Sequence, residues 1–308
     1  MTGRRRPSIG VDVRRVTAFG WVALLGLMAA ACSTVGLGED DAAVETTAPV
    51  VDLEILDEAG GGGLSIGHTI IDAEPPSGSG CCLDVLITGD IDGDGDDDVA
   101  LGSENAEGVF WYSNPSWERR SIGSGDFTTD GRASDVNGDG LLDIVVSNIE
   151  ADAIEWFANP GSLDAAEWER HRIGDLFAHD LVVGDLDGDG LEDVITFRKD
   201  EPAQLSWYRH PADPTTPWDK TVVADGLAGE GLATADVDGD GDGDIVASRF
   251  LFRNEGDSWV QIELTPYWGD DARPAIGDVN GDGVTDIVLG PAESYTGGVT
   301  WFEGPDWS

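Results

Sequence analysis

The sequence predicts an all-β chain, a β-propeller of five four-stranded blades with an N-terminal strand closing the last blade. Three observations predict it. The acidic nonapeptide D-x-[DN]-G-D-G-x-x-D occurs five times, its first positions separated by 45, 50, 51 and 42 residues, a spacing that fits one copy per repeat. After each copy comes a β-branched aliphatic run: Val99-Ala-Leu, Ile144-Val-Val, Val194-Ile-Thr, Ile245-Val-Ala and Ile287-Val-Leu. An aromatic strand and then a second tryptophan follow at similar places in every repeat.

The nonapeptides are Asp90–Asp98, Asp135–Asp143, Asp185–Asp193, Asp236–Asp244 and Asp278–Asp286. In the first, Asp90, Asp92, Asp94 and Asp98 would supply side-chain oxygens and Asp96 a backbone carbonyl. Their counterparts are Asp135, Asn137, Asp139 and Asp143 with Leu141, then Asp185, Asp187, Asp189 and Asp193 with Leu191. The fourth loop offers Asp236, Asp238, Asp240 and Asp244 with Asp242, and the fifth Asp278, Asn280, Asp282 and Asp286 with Val284. Glycines such as Gly93 and Gly95 let the backbone take positive φ, so alternate carboxylates can converge. Oxygen cages of this kind suit Ca²⁺ better than Mg²⁺, which demands a stricter octahedron. Nothing basic lies inside any of the five loops, so the expectation is about five structural calcium ions. An EF-hand is excluded, because its twelfth position carries a glutamate. Here that position holds Leu101, Val146, Thr196, Ala247 and Leu289.

The aromatic strands are Trp111-Tyr, Trp156-Phe, Trp207-Tyr, Phe252 and Trp301-Phe, three of which run on to Pro115, Pro160 and Pro211. The second tryptophans are Trp117, Trp168, Trp218, Trp259 and Trp307, and four of them open an outer strand such as Lys220–Asp225. Each repeat therefore reads as a strand before the loop, a strand after it, an aromatic strand and an outer strand. Recurrence at one phase points to tryptophans packing between blades, with sugar stacking as the other reading. The fifth repeat ends where its outer strand should begin. His68-Thr-Ile-Ile-Asp-Ala73 resembles an outer strand in pattern and is expected to supply it, which would remove exposed sheet edges.

The unit His179–Thr196, followed by Leu205–Pro211, resembles the FG-GAP/VCBS repeat family over roughly residues 64–308. That resemblance implies a calcium-stabilised propeller like the head of integrin α subunits, working as an extracellular scaffold for proteins or glycans. Related propellers also occur beside polysaccharide lyases and sugar dehydratases, so the resemblance carries fold better than function.

Residues 1–31 read as a signal peptide, with Arg4–Arg6 and Arg14-Arg15 ahead of an apolar run that is short for a membrane span. The run finishes Met28-Ala-Ala-Ala-Cys32, which resembles a bacterial lipobox with Ala29 where leucine is usual. Lipidation at Cys32 is expected; ordinary cleavage nearby and a retained anchor are the alternatives. Residues 32–63, charged and glycine-rich, read as a flexible tether, and 64–308 as the propeller. The product would be a cell-surface or periplasmic lipoprotein, or a secreted protein, expected as a monomer. Cys81-Cys82 would form a strained vicinal disulfide, stay as two free thiols, or make one intermolecular bridge. A formal net charge of −44, with 61 acidic against 17 basic residues, argues against nucleic acid.

No H-E-x-x-H or G-x-S-x-G motif is present, and the four histidines lack metal-ligand spacing. Just before the first strands of successive repeats lie Asp84, Asp130, His179-Asp180, Glu230 and Asp271 with Arg273. In a propeller these residues would ring one channel mouth and could hold a sugar or a cation; solvated residues entering strands are the plainer reading. The expected function is a non-enzymatic module presenting loops to a protein or polysaccharide. The alternatives are a lyase- or dehydratase-like enzyme acting at the mouth and a cell-envelope spacer.

Overall fold

In the second, third and fourth repeats the aliphatic residues directly after the acidic loop build a strand buried on both faces, which is why those runs do not alternate with polar residues. The clearest case is Asp143–Asn148, whose six residues are all buried. The computed structural model describes residues 50–54, 65–75, 83–103, 108–162, 165, 167–266, 271–292, 298–305 and 307. Among these it shows 21 strands and no helix.

Two short strands come first, β1 (Val50–Glu54) and β2 (Ser65–Thr69). The first repeat is β3 (Leu83–Gly89), β4 (Asp98–Ser103), β5 (Val109–Ser113) and β6 (Glu118–Gly123). The second is β7 (Phe127–Ser134), β8 (Asp143–Asn148), β9 (Ala153–Ala158) and β10 (Glu169–Asp175). The third is β11 (Asp180–Gly184), β12 (Asp193–Arg198), β13 (Gln204–Arg209) and β14 (Asp219–Asp225). The fourth is β15 (Leu232–Ala235), β16 (Asp244–Ala247), β17 (Phe250–Asn254) and β18 (Trp259–Glu263). The fifth has β19 (Ala272–Gly277), β20 (Asp286–Pro291) and β21 (Thr300–Phe302). Each repeat is one antiparallel sheet with its strands in chain order, four strands in the first four and three in the fifth.

Register repeats with the sequence. The first residue after each loop faces an aromatic strand partner: Val99 with Tyr112, Ile144 with Phe157, Val194 with Tyr208, Ile245 with Phe252 and Ile287 with Phe302. Such pairs are a main source of sheet stability. First strands of successive sheets lie side by side, β3 by β7, β7 by β11, β11 by β15 and β15 by β19. Four apolar clusters fill the spaces between consecutive sheets, as in a propeller.

Tryptophan packing follows this plan. Trp111, Trp156 and Trp207 are buried, as are Trp168, Trp218 and Trp307. Trp301, in the fifth sheet, is 45% exposed, and Trp117 is half-buried and in none of the four clusters, so these two depart from the expected packing. Close approach fixes one glycine: a Cβ on Gly174 in β10 would sit 2.1 Å from the Tyr208 ring of the next sheet.

The N-terminal strand differs from expectation. Ser65–Thr69 pairs antiparallel with Val50–Glu54, inside the span expected to be tether, and not with β21. Partners this near in sequence are joined at a small loop-closure cost, whereas β21 lies at the far end of the chain. The following residues do reach the first sheet, since Asp72 accepts hydrogen bonds from Tyr112 Oη and Arg119 Nη1, both at 2.9 Å. Signal peptide, Cys32 and Cys81-Cys82 lie outside the described residues.

Candidate metal centres and a charged cluster

Each acidic loop joins the first and second strands of its sheet and is wound by its own side chains. Position 1 accepts from the position 6 glycine: Gly95 N to Asp90 at 3.0 Å, Gly140 N to Asp135 at 2.9 Å and Gly190 N to Asp185 at 2.8 Å. Gly241 N to Asp236 at 3.1 Å and Gly283 N to Asp278 at 2.9 Å complete the set. Position 5 accepts from the position 7 amide, as in Asp94 with Asp96 N and Asp189 with Leu191 N. The position 4 and 6 glycines have φ between 70° and 100° in all five copies, the region these turns require.

The ninth position has a role the sequence did not disclose. Asp98, Asp143, Asp193, Asp244 and Asp286 are at most 1% exposed. One carboxylate oxygen accepts from the position 2 amide at 3.0–3.1 Å. The other accepts from the amide at or just beyond the end of the aromatic strand: Asn114, Asn159, His210 and Asn254 at 2.7 Å, and Gly304 at 2.9 Å. This residue therefore ties three strands of its sheet together. Burial pushes Asp143 and Asp244 up to about 6, and a cation beside them would favour the charged form again.

Carboxylate oxygens within 4.8 Å of one another could hold a metal ion at Asp90, Asp92 and Asp94, at Asp185, Asp187 and Asp193, and at Asp236, Asp238 and Asp244. These are the three loops with aspartate at position 3; the other two carry Asn137 and Asn280 there. The donor set fits a hard cation, and Asp90 Oδ1 is buried without a hydrogen-bond partner among the described residues. Bases from outside the loops do reach two of them. Arg209 Nε lies 3.0 Å from Asp187 and Arg253 Nε 3.5 Å from Asp238. In the fifth loop the pairing reverses, with Asn280 Nδ2 donating to Glu303 at 3.1 Å.

A further latch crosses between sheets. Asn159 Nδ2 donates to Ile91 O at 2.7 Å, His210 Nε2 to Val136 O at 2.8 Å and Asn254 Nδ2 to Leu186 O at 2.7 Å. Each runs from the end of one aromatic strand to position 2 of the preceding loop. In the sequence the only sign of it is a polar residue directly after, or closing, the aromatic run.

Of the residues expected at the channel mouth, His179, Asp180, Glu230 and Arg273 meet, Asp271 joins Glu230 through a backbone bridge, and the side chain of Asp84 lies outside the described residues. His179 Nδ1 lies 3.2 Å from Asp180 and its Nε2 3.5 Å from Glu230. Arg273 Nη1 lies 3.8 Å from Asp180, and Asp130 accepts from Leu181 N at 3.2 Å. Sequence reasoning missed Lys199, which ion-pairs Glu230, and Arg132, 3.4 Å from Asp130. Lys199 was findable: antiparallel pairing of Asp180 with Phe197 brings the residues after β12 beside the start of β11. Thr129 donates its hydroxyl to the His179 carbonyl from a left-handed backbone, φ 58°, which is strained for a β-branched residue. Burial alone would lower the His179 pKa, but its hydrogen bond to Asp180 and the charges of Asp180 and Glu230 raise it overall.

Comparison with known proteins agrees with this architecture. The FG-GAP-like repeat family matches three overlapping stretches, residues 90–146, 135–196 and 185–247. No curated protein matches the chain. Among solved structures, rhamnogalacturonan lyase YesW is 16% identical with a TM-score of 0.47, over 71% of this chain and 48% of that one. The V. cholerae biofilm matrix protein Bap1 is 18% identical with a TM-score of 0.44, over 66% of this chain and 34% of that one. The chain thus spans less than half the length of either, and likeness at that level speaks to neither activity nor ligand. Each family match runs from one acidic loop into the strand beyond the next, and together they span half of the chain: the protein belongs to the FG-GAP-like repeat family.

Proposed function

We propose that this chain is a calcium-stabilised, exported β-propeller-like module of five repeats that binds a protein or polysaccharide through the loops its sheets present. The observation that carries the calcium reading is the clustering of carboxylates in three of five equivalent loops, with Asp90 Oδ1 buried and without a donor among the described residues. Calcium would supply charge neutralisation at the junction of the first two strands of each sheet, and the protein oxygens would hold it there. In loops three and four, Arg209 and Arg253 compete with the ion for the position 3 carboxylate. In the same reading residues 1–31 direct export and Cys32 carries the lipid. Replacing Cys32 by serine should move the protein from membrane to soluble fractions, and unchanged fractionation would remove the anchor from the proposal.

Thermal melting with EDTA and with added Ca²⁺ tests the central claim. A site held at a hundredfold excess over its Kd adds about 2.7 kcal/mol to the folded state. For a domain of this size that is roughly 5–10 °C in Tm per filled site. A melting curve indifferent to both additions would sink it.

A further inference from the structure

We propose that the charged cluster around Glu230 is a saccharide-binding site, an inference that rests on reading the chain as a binding module. Glu230 and Asp180 form its floor, 3% and 2% exposed. Glu230 Oε1 faces both Lys199 Nζ and His179 Nε2, while Glu230 Oε2 is buried and has no hydrogen-bond partner among the described residues. A buried carboxylate oxygen without a donor carries a desolvation penalty that a donor from outside removes. Asp180 is engaged by His179 and Arg273, so the two acids and three bases form one connected group.

The chemistry of that group selects its ligand. A divalent cation suits the acidic loops, where carboxylates cluster. It does not suit Glu230, whose Oε1 already faces an ammonium and an imidazole. A polyanion is disfavoured as well, because Asp130, Asp180 and Glu230 offset the neighbouring bases. What matches is a ligand whose adjacent groups both donate and accept. A hydroxyl does both, donating to a carboxylate oxygen and accepting from an ammonium or guanidinium. The side chains are graded in that sense, with Arg273 52% and Lys199 35% exposed above acids at 2% and 4%. Lys199, long and the more exposed member of its pair, is the side chain that would shift as a hydroxyl reaches Glu230. Vicinal hydroxyls of a sugar ring would then take both roles at once.

The test is an array of neutral and uronate-containing oligosaccharides probed with the full chain in Ca²⁺, as wild type, Glu230→Gln and Arg273→Gln, with Tm measured for each. Wild type should retain at least one saccharide. Glu230→Gln should weaken that binding at least about tenfold, the scale of one charge-assisted hydrogen bond. Arg273→Gln, at an exposed position, should weaken it several-fold at unchanged Tm. If Glu230→Gln does not fold, Arg273→Gln decides alone. An array left blank by wild type, or wild-type retention by the folded variants, overturns the site. A blank array with a Tm that still rises on adding Ca²⁺ leaves the calcium reading standing, whereas a Tm indifferent to Ca²⁺ strikes that reading instead.

Discussion

The junction between the second and third sheets and that between the fourth and fifth come from the same repeat, yet they are knit differently. At the first, Trp156 is 1% exposed, His210 packs edge-on against Trp218 at 4.6 Å, and the same histidine latches Val136 O across the gap. At the second, Gly304 stands where the latch side chain would be, and it offers Trp307, the counterpart of Trp218, no ring to pack against. Both junctions carry an intact nonapeptide. The loop motif therefore builds a sheet, but residues at the end of the aromatic strand decide how firmly that sheet is held to its neighbour.

The largest test compares a tryptophan inside a junction with its counterpart on the face of the fifth sheet turned away from the fourth. Trp156→Ala should cost about 3–5 kcal/mol, as for other fully buried aromatics. Trp301→Ala, half in water already, should cost about 1–2 kcal/mol. Urea midpoints of the Ca²⁺-loaded protein would show it, and equal losses would dissolve the distinction. A smaller effect is expected at the latch itself. Asn159→Ala leaves Ile91 O without its side-chain donor and should cost about 1–3 kcal/mol. Gly304→Asn should not restore a latch, because a Cβ there would lie 2.2 Å from Thr285 O. A stabilised Gly304→Asn protein would show that the fifth sheet lacks only a side chain. The smallest effect concerns His179, in the charged cluster at the start of β11. Its raised pKa means that its contribution to stability is full below the ordinary histidine value of about 6.5 and is lost as pH rises through the folded-state value. An NMR titration should place its midpoint above the ordinary value; a midpoint at or below it would mean that burial outweighs the two carboxylates.

Much of this was legible in the sequence, for a physical reason. Loop, aliphatic strand and aromatic strand follow each other within about 25 residues, so local pattern and pairing register say the same thing. Side chains that act across sheets were not legible. Asn159, His210 and Asn254 reach partners 68, 74 and 68 residues away, and nothing in their own repeat marks them as donors. The bases that reach Asp187 and Asp238 escaped notice because they lie on neighbouring strands and not inside the loops. Ser65–Thr69 has a pattern that suits either β1 or an edge of the fifth sheet, and side-chain pattern alone does not choose between partners.

The ninth aspartate of each loop has one more consequence. Because backbone amides fill both of its oxygens, the start of the second strand is marked by the chain itself and not by a cation. A repeat can therefore shed a charge from its metal site and still know where its strand begins. The second and fifth loops show the first step, with asparagine at the third position and an unchanged aspartate at the ninth. Worn copies of this repeat, silent to any ion, should thus be recognisable by a single buried carboxylate placed before an aliphatic run.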